Sequence, residues 1–142
     1  MLLVVDIGNT NIVWGVYYDD RSLAAHWRIA TDVKKTSDEY GILFANLLTA
    51  AGISAQRLTG AIISSVVPAL TGTVEQMLEQ YFHLRPLVVT SDTDTGLTIR
   101  YDNPKEIGSD RLVNAAAAYH KYRRDLIVVD FGTATTFCAI TA

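Results

Sequence analysis

Two short turns carry the side chains best suited to chemistry. Each follows an apolar run and combines a carboxylate, a glycine and small polar residues: Asp6-Ile7-Gly8-Asn9-Thr10 and Asp130-Phe131-Gly132-Thr133. Glycine lets a chain turn sharply and approach a ligand closely. Successive N–H groups in such a turn form an anion-binding concavity, and a carboxylate beside it can hold a hydrated divalent cation. This combination indicates phosphate binding.

The two turns lie in repeated segments. When residues 126–140 are aligned on residues 2–16, Leu, Val, Val, Asp and Gly recur in register. A single turn of this kind is more typical of an ordinary hairpin. Two of them facing each other across a cleft would hold a polyphosphate and its metal ion from both sides, which is the positioning that phosphoryl transfer requires.

The repeat also predicts the domain organisation. We expect residues 1–124 to form the first domain and residues 125–142 to contribute only the first strands of a second one. Because two strands are too few to make a domain, the pattern predicts the front half of a protein about twice as long.

The apolar periodicity predicts an α/β fold that opens with three strands. Residues 2–7, 12–18 and 22–30 are separated by tight turns, which favours an antiparallel meander. A helix follows, because Thr36 and Glu39 form a capping-box pattern ahead of helically spaced apolar residues.

The remaining elements alternate between strand and helix. The pattern predicts strands over 61–67, 87–90 and 97–101, a helix over 70–82, a helix capped by Ser109 and ending near residue 124, and strands over 126–131 and 135–140. We therefore expect a mixed sheet, with the meander and parallel strands flanked by helices.

Composition excludes several classes of protein. The 12 Lys and Arg residues against 15 Asp and Glu residues give a net charge of −3, whereas nucleic-acid binding needs a basic surplus. No apolar run reaches the roughly 18 residues that a membrane span requires. Cys138 is the one cysteine and the N-terminus lacks a signal-peptide pattern. We therefore expect a cytoplasmic setting, with no nucleic-acid or membrane partner.

Five motifs occur in an order that is typical of one family. They are Asp6-Ile7-Gly8-Asn9-Thr10-Asn11, Ser64-Ser65-Val66-Val67-Pro68, Tyr101-Asp102-Asn103-Pro104, Gly108-Ser109-Asp110-Arg111 and Asp130-Phe131-Gly132-Thr133-Ala134-Thr135-Thr136. The two Asp-containing turns resemble the phosphate motifs of the actin, Hsp70 and sugar-kinase (ASKHA) superfamily. Together the five motifs resemble type III pantothenate kinase over the whole chain, which implies an RNase H-like fold, the first of two duplicated ASKHA-type domains.

The resemblance implies a reaction. It is the ATP-dependent phosphorylation of pantothenate to 4′-phosphopantothenate, the first step of coenzyme A biosynthesis. The implied cofactors are ATP, Mg²⁺ and a monovalent cation, K⁺ or NH₄⁺, and the implied assembly is a homodimer. The family continues beyond residue 142 into much of the adenine-side wall and some substrate contacts.

The resemblance also implies roles for individual residues. The implied ATP-binding residues are Asp6, Ile7, Gly8, Asn9, Thr10, Asn11, Ile12, Val13 and Thr133. The implied substrate-binding residues are Tyr101, Gly108, Ser109, Asp110 and Arg111. Asp6 would hold Mg²⁺ through water, and Asp130 would bind the monovalent cation.

Asp110 is the candidate general base, which would accept the proton of the attacking hydroxyl group. A carboxylate in the first turn of a helix is favoured by the helix dipole. Spacing alone favours Ser109 and Asp110 as capping residues, whereas the family resemblance favours the catalytic role. Arg111 is suited to hold an anionic oxygen bidentately, or to form a surface ion pair.

Two other functions stay open. A non-catalytic homologue would keep the turns and serve as a regulatory or binding partner. Asp94-Thr95-Gly96 matches the aspartic-protease triplet, which a dimer could complete, although polar residues 91–93 stand where an apolar strand should lead into it. His26, His83 and His120 are scattered without zinc-ligand spacing.

Overall fold

The computed structural model describes residues 1–141. Its strands and α-helices, in chain order, are β1 (Leu2–Ile7), β2 (Asn11–Tyr17), β3 (Leu23–Ala30), α1 (Ser37–Ala50), β4 (Gly60–Ser65), α2 (Pro68–Phe82), β5 (Leu87–Val88), α3 (Ser109–Tyr122), β6 (Leu126–Phe131) and β7 (Thr135–Ile140). Within this described part of the chain, no helix has the length and apolarity to cross a membrane.

The chain divides into two compact units, Met1–Val88 and the residues from Val89 onwards. In the second unit, α3 packs against β6 and β7. The predicted boundary after residue 124 is of a different kind, because it marks where a repeated domain begins and not where contacts are few. It stays a prediction.

The first unit is built on a five-stranded mixed sheet in the order β3-β2-β1-β4-β5. β1 and β2 pair antiparallel, as do β2 and β3, whereas β4 runs parallel to both β1 and β5. The predicted meander, continued by parallel strands, is therefore confirmed.

Alternation along β1 decides which side chains enter the core. Leu3, Val5 and Ile7 are fully buried. In the same core, Phe44 of α1 stacks on Trp14 of β2 with ring centroids 4.5 Å apart. Because successive side chains of a strand point to opposite faces, Asp6 projects from the face opposite this core and is exposed at the end of β1.

The start and end of α1 follow the predicted pattern. The Glu39 N–H donates to Thr36 Oγ1 at 3.3 Å, and the Thr36 N–H donates to Glu39 Oε2 at 2.8 Å. Gly52, just beyond the helix, has a φ of 67°, the left-handed conformation that suits glycine at this position. The capping box and the glycine stop are both confirmed.

Two strands are shorter than predicted, and a third does not form. β4 ends at Ser65 because Val67 becomes the N-cap of α2 and Pro68 its first residue, a position that suits proline. β5 ends at Val88. Residues 97–101 form no strand, since apolar alternation does not by itself supply the backbone partners that a strand needs.

The cap of α3 also differs from the prediction. Gly108 is the N-cap, and Ser109 is the first helical residue and is buried. The Leu112 N–H donates to the Gly108 carbonyl at 3.2 Å and closes the first turn. Glycine is an accepted N-cap residue, so the capping interpretation of Ser109 was wrong.

Candidate active site

The first turn joins β1 to β2 in a tight backbone arrangement. The Gly8 N–H donates to the Asn11 carbonyl at 3.0 Å. A Cβ on Gly8 would lie 3.1 Å from that carbonyl oxygen, closer than most side chains tolerate. Asn9 and Thr10 are exposed at the tip. The turn therefore presents polar side chains and backbone to solvent, which suits phosphate binding.

Thr31, directly after β3, clamps this turn from the side. Its Oγ1 donates to the Gly8 carbonyl at 2.6 Å, and its N–H donates to the Thr10 carbonyl at 3.0 Å. Both bonds go to carbonyl groups, so they orient the backbone of the turn without using its N–H groups. Thr31 lies outside every motif recognised in the sequence. Its only signal was a hydroxyl residue at the end of the third predicted strand.

Other residues of the first motif are committed to the scaffold. The Asn11 amide donates to the Ile29 carbonyl at 3.4 Å and accepts from Arg28 Nη1 at 3.4 Å, which ties it to β3. Ile7 and Ile12 pair across the hairpin and are fully buried. Any contact of these two residues with ATP would therefore run through the backbone, while Val13 is half-buried.

The second turn joins β6 to β7 and has a similar plan. The Gly132 N–H donates to the Ala134 carbonyl at 3.2 Å, and Thr133 is exposed. Phe131 pairs with Thr135, whereas Ile7 pairs with Ile12 in the first hairpin. The second turn is therefore the tighter one, because fewer residues separate the last pair of its strands. Both turns follow a strand that carries an Asp.

Helix α3 brings Asp110 and Asp130 to one side of the second unit. Asp110 lies in the first turn, half-buried, and its Oδ1 accepts from the Arg111 N–H at 2.7 Å. Asn114 Nδ2 donates to Asp130 Oδ2 at 3.4 Å. Because residues four apart share a helix face, Asp110 lies on the side of α3 that meets Asp130. Asn114 lies outside the five motifs.

Arg111 makes three hydrogen bonds within the second unit. Nη1 donates to the Tyr101 hydroxyl at 3.0 Å, Nη2 donates to the Phe137 carbonyl at 3.1 Å, and Nε donates to Cys138 Sγ at 3.2 Å. The bond to Cys138, followed by the bond to Tyr101, raises the pKa of the Arg111 guanidinium above its ordinary value. Arg111 and Tyr101, both predicted to bind substrate, are therefore in direct contact.

Comparison with known proteins identifies the family. The family model described as type III pantothenate kinase matches residues 2–142. The chain belongs to the type III pantothenate kinase family. The type III pantothenate kinase of Geotalea daltonii is 58% identical over 137 residues, and that of Geobacter sulfurreducens is 56% identical over 137 residues; each alignment covers 96% of this chain and 53% of the relative. The chain spans about half the length of the curated relatives it matches.

Solved structures show the same fold class at low identity. A protein from Sinorhizobium meliloti assigned as a 2-dehydro-3-deoxygalactonokinase superposes with a TM-score of 0.59 at 13% identity, covering 100% of this chain and 50% of that one. A ROK family glucokinase from Streptomyces griseus gives 0.50 at 18% identity, covering 98% of this chain and 44% of that one. These likenesses establish a shared sugar-kinase fold.

The type III pantothenate kinase motifs divide between the two units. The first unit carries Asp6 and the first turn, and the second carries Tyr101, α3 and the second turn. Single carboxylates with hard oxygen donors, such as Asp6 and Asp130, fit a hydrated Mg²⁺ or a monovalent cation better than a softer metal. Within residues 1–141, no cluster of three or more His, Cys, Asp or Glu side chains is placed to hold a metal ion.

The aspartic-protease triplet does not have the local structure of a protease site. Asp94 lies in an irregular segment with no strand leading into it, and its Oδ1 accepts from the Gly96 N–H at 3.0 Å. This bond closes a local Asx turn, which explains the Asp and the Gly without catalysis.

Proposed function

We propose that this chain forms the N-terminal half of a type III pantothenate kinase, which transfers the γ-phosphoryl group of ATP to the primary hydroxyl of pantothenate. Membership of the family supports the reaction. The observation that carries the proposal is the placement of Asp110 on the side of α3 where Asn114 meets Asp130. A candidate base and the carboxylate of a phosphate-type turn thus share one side of one unit.

The proposed roles follow the chemistry of each group. The backbone N–H groups and polar side chains of the first turn bind the ATP phosphates. Asp110 accepts the proton of the pantothenate hydroxyl as its oxygen bonds to the γ-phosphorus, the bond to the β–γ bridging oxygen breaks, and ADP leaves. Mg²⁺, held by Asp6 through water, would neutralise charge on the phosphates.

Further parts of the proposal rest on the resemblance. Asp130 would bind the monovalent cation, K⁺ or NH₄⁺, and Thr133 would contact ATP. The second repeat would begin at residue 125 and be completed by residues that correspond to the remaining half of the relatives. The enzyme would act as a homodimer in the cytoplasm.

A chimera tests this function. We would join residues 1–142 to the part of the Geobacter sulfurreducens relative that follows the matched segment. ADP release would be measured with and without pantothenate, in the presence of Mg²⁺ and K⁺. We expect pantothenate-dependent release. A folded chimera without it would contradict the proposal and favour the non-catalytic homologue.

Asp110→Asn in the chimera tests the general base. Loss of a general base lowers kcat by about 10²-fold or more, while the KM for ATP should change little. Asp92→Asn is the matched control, because Asp92 is exposed in a turn outside the five motifs. Equal kcat values for parent and Asp110→Asn would remove Asp110 from the mechanism.

A further inference from the structure

Arg28 lies on strand β3 beside the first turn, and its side chain is exposed. Its Nη1 donates to Asn11 Oδ1 at 3.4 Å, and Asn11 is the last residue of the first motif. Among the residues that the structure describes, no carboxylate forms an ion pair with this guanidinium. A guanidinium has five N–H donors, so four of them are left for solvent or for a ligand.

The strand register places Arg28 in one row with Asp6. Asp6 pairs with Val13 of β2, and Val13 pairs with Arg28 of β3. Residues that pair directly project from the same face of a sheet. Because neighbouring strands are about 4.8 Å apart, the backbones of Asp6 and Arg28 are separated by about 10 Å. The carboxylate and the guanidinium therefore share one face, with the apolar Val13 between them.

The first turn needs a positive charge that its own residues do not supply. Residues 6–13 include Asp6 but no Lys or Arg, whereas a triphosphate carries several negative charges. Catalysis of phosphoryl transfer depends on stabilising that charge, to which Lys and Arg side chains contribute together with Mg²⁺. The planar fork of a guanidinium can donate to two phosphate oxygens at once. Arg28, bonded to the motif and unpaired with any described acid, has the required charge and donors.

We infer that Arg28 is a phosphate-binding residue, whose guanidinium donates to non-bridging oxygens of the ATP triphosphate at the first turn. In this role the bond to Asn11 Oδ1 holds the guanidinium beside the turn, and the remaining donors face the phosphate groups. The inference rests on the proposed function for the identity of the nucleotide, whereas the placement of Arg28 beside Asn11 stands on the structure.

Arg28→Met in the chimera tests the inference by kinetics. The substitution removes the charge and the donors but keeps an unbranched side chain. We expect the KM for ATP to rise about tenfold, equivalent to about 1.4 kcal/mol, with the KM for pantothenate unchanged. Arg28→Lys keeps the charge but lacks the planar fork, so its KM for ATP should lie between those of the parent and Arg28→Met. An unchanged KM for ATP in Arg28→Met would overturn the inference.

Arg21→Met is the matched control. Arg21 is exposed in the turn between β2 and β3, at the end of this strand pair where Tyr17 pairs with Leu23, whereas Asn11 pairs with Ala30 at the other end. The control removes the same charge from the same unit, and its KM for ATP should equal that of the parent. Equal increases in Arg21→Met and Arg28→Met would overturn the inference, since they would reflect net charge alone.

A measurement without catalysis distinguishes failure of this inference from failure of the proposed function. The probe is inorganic triphosphate with Mg²⁺, added to the 142-residue chain labelled with ¹⁵N-arginine. The Nε signals of Arg28 and Arg21 are assigned by their loss in the two Met variants. Because the first turn and β3 lie in one unit, we expect triphosphate to shift the Arg28 signal and to leave the Arg21 signal in place.

The two results have separate meanings. An Arg28 signal that triphosphate does not move would overturn the inference whether or not the chimera is active. An inactive chimera, together with an Arg28 signal that does shift, would support the inference and count against the proposed function alone.

Discussion

At the scale of single residues, the turn between β1 and β2 is held in its conformation by a side chain that lies outside the first motif. Thr31 bonds to the carbonyl groups of Gly8 and Thr10. Those bonds hold the backbone of the turn in one orientation before any ligand binds. Preorganised N–H groups bind phosphate more tightly, because less ordering is required on binding.

Thr31→Val tests this role with little change of shape. It removes the Oγ1 bond to the Gly8 carbonyl and leaves the backbone bond to Thr10 in place. We expect the free energy of unfolding of the chain in urea to fall by about 1 kcal/mol. In the chimera, the KM for ATP should rise about fivefold, which corresponds to a loss of about 1 kcal/mol of binding free energy.

The control for this prediction is Thr31→Ser, which keeps the hydroxyl group and should behave like the parent in both measurements. If Thr31→Val bound ATP as tightly as Thr31→Ser does, the clamp would have no part in nucleotide binding.

At the scale of elements, α1 and α2 approach each other closely at Gly41. A Cβ built on Gly41 would lie 2.7–2.8 Å from atoms of the Tyr81 ring. The Tyr81 hydroxyl crosses to α1 and donates to Asp38 Oδ1 at 2.8 Å. Glycine inside a helix lowers the stability of that helix. It is accommodated at position 41 because a larger residue would displace the Tyr81 ring.

Gly41→Ala should therefore destabilise the chain although alanine is the better helix former. We expect overpacking against Tyr81 to cost about 1–3 kcal/mol, read from urea unfolding. Gly72→Ala in α2 is the matched control, since nothing lies within 4 Å of its added Cβ. It should stabilise the chain by about 0.5–1 kcal/mol. Stabilisation by both substitutions would show that the helices are packed less closely here.

At the scale of the whole molecule, the two hairpins differ in what covers them. In the first, Ile7 and Trp14 lie in the core. In the second, the corresponding face carries Phe131, which is 82% exposed, and Phe137, which is 65% exposed. Adjacent exposed aromatic residues of this kind mark a surface that associates with other apolar surface.

We expect the 142-residue chain to self-associate through this face. The double substitution Phe131→Ser and Phe137→Ser should lower the weight-average mass in sedimentation velocity at a given concentration, because it removes exposed apolar area. Ile42→Ser, at an exposed position on α1, serves as the control and should leave association unchanged. A parent chain that is monomeric at high concentration would contradict the prediction.

Much of the fold was readable along the chain because its signals are local. The alternation in residues 2–30 predicted the meander, the Thr36 and Glu39 pair predicted the start of α1, and the ordered motifs indicated the family. Each of these depends on residues close together in sequence or on motifs that act as fixed units. The strand predicted for residues 97–101 does not form, because a strand needs a backbone partner and the alternation of its own side chains cannot provide one.

The contacts that shape the candidate site were decided by tertiary structure. Thr31 reaches back to Gly8, and Asn114 reaches Asp130, across long stretches of chain. Arg111 finds Cys138 only because α3 packs against β7. A hydroxyl, amide or guanidinium group has many possible partners, and nothing in its neighbouring residues selects one. The residue types and their spacing thus predicted which groups are candidates for the site, whereas tertiary packing decided which atoms contact them.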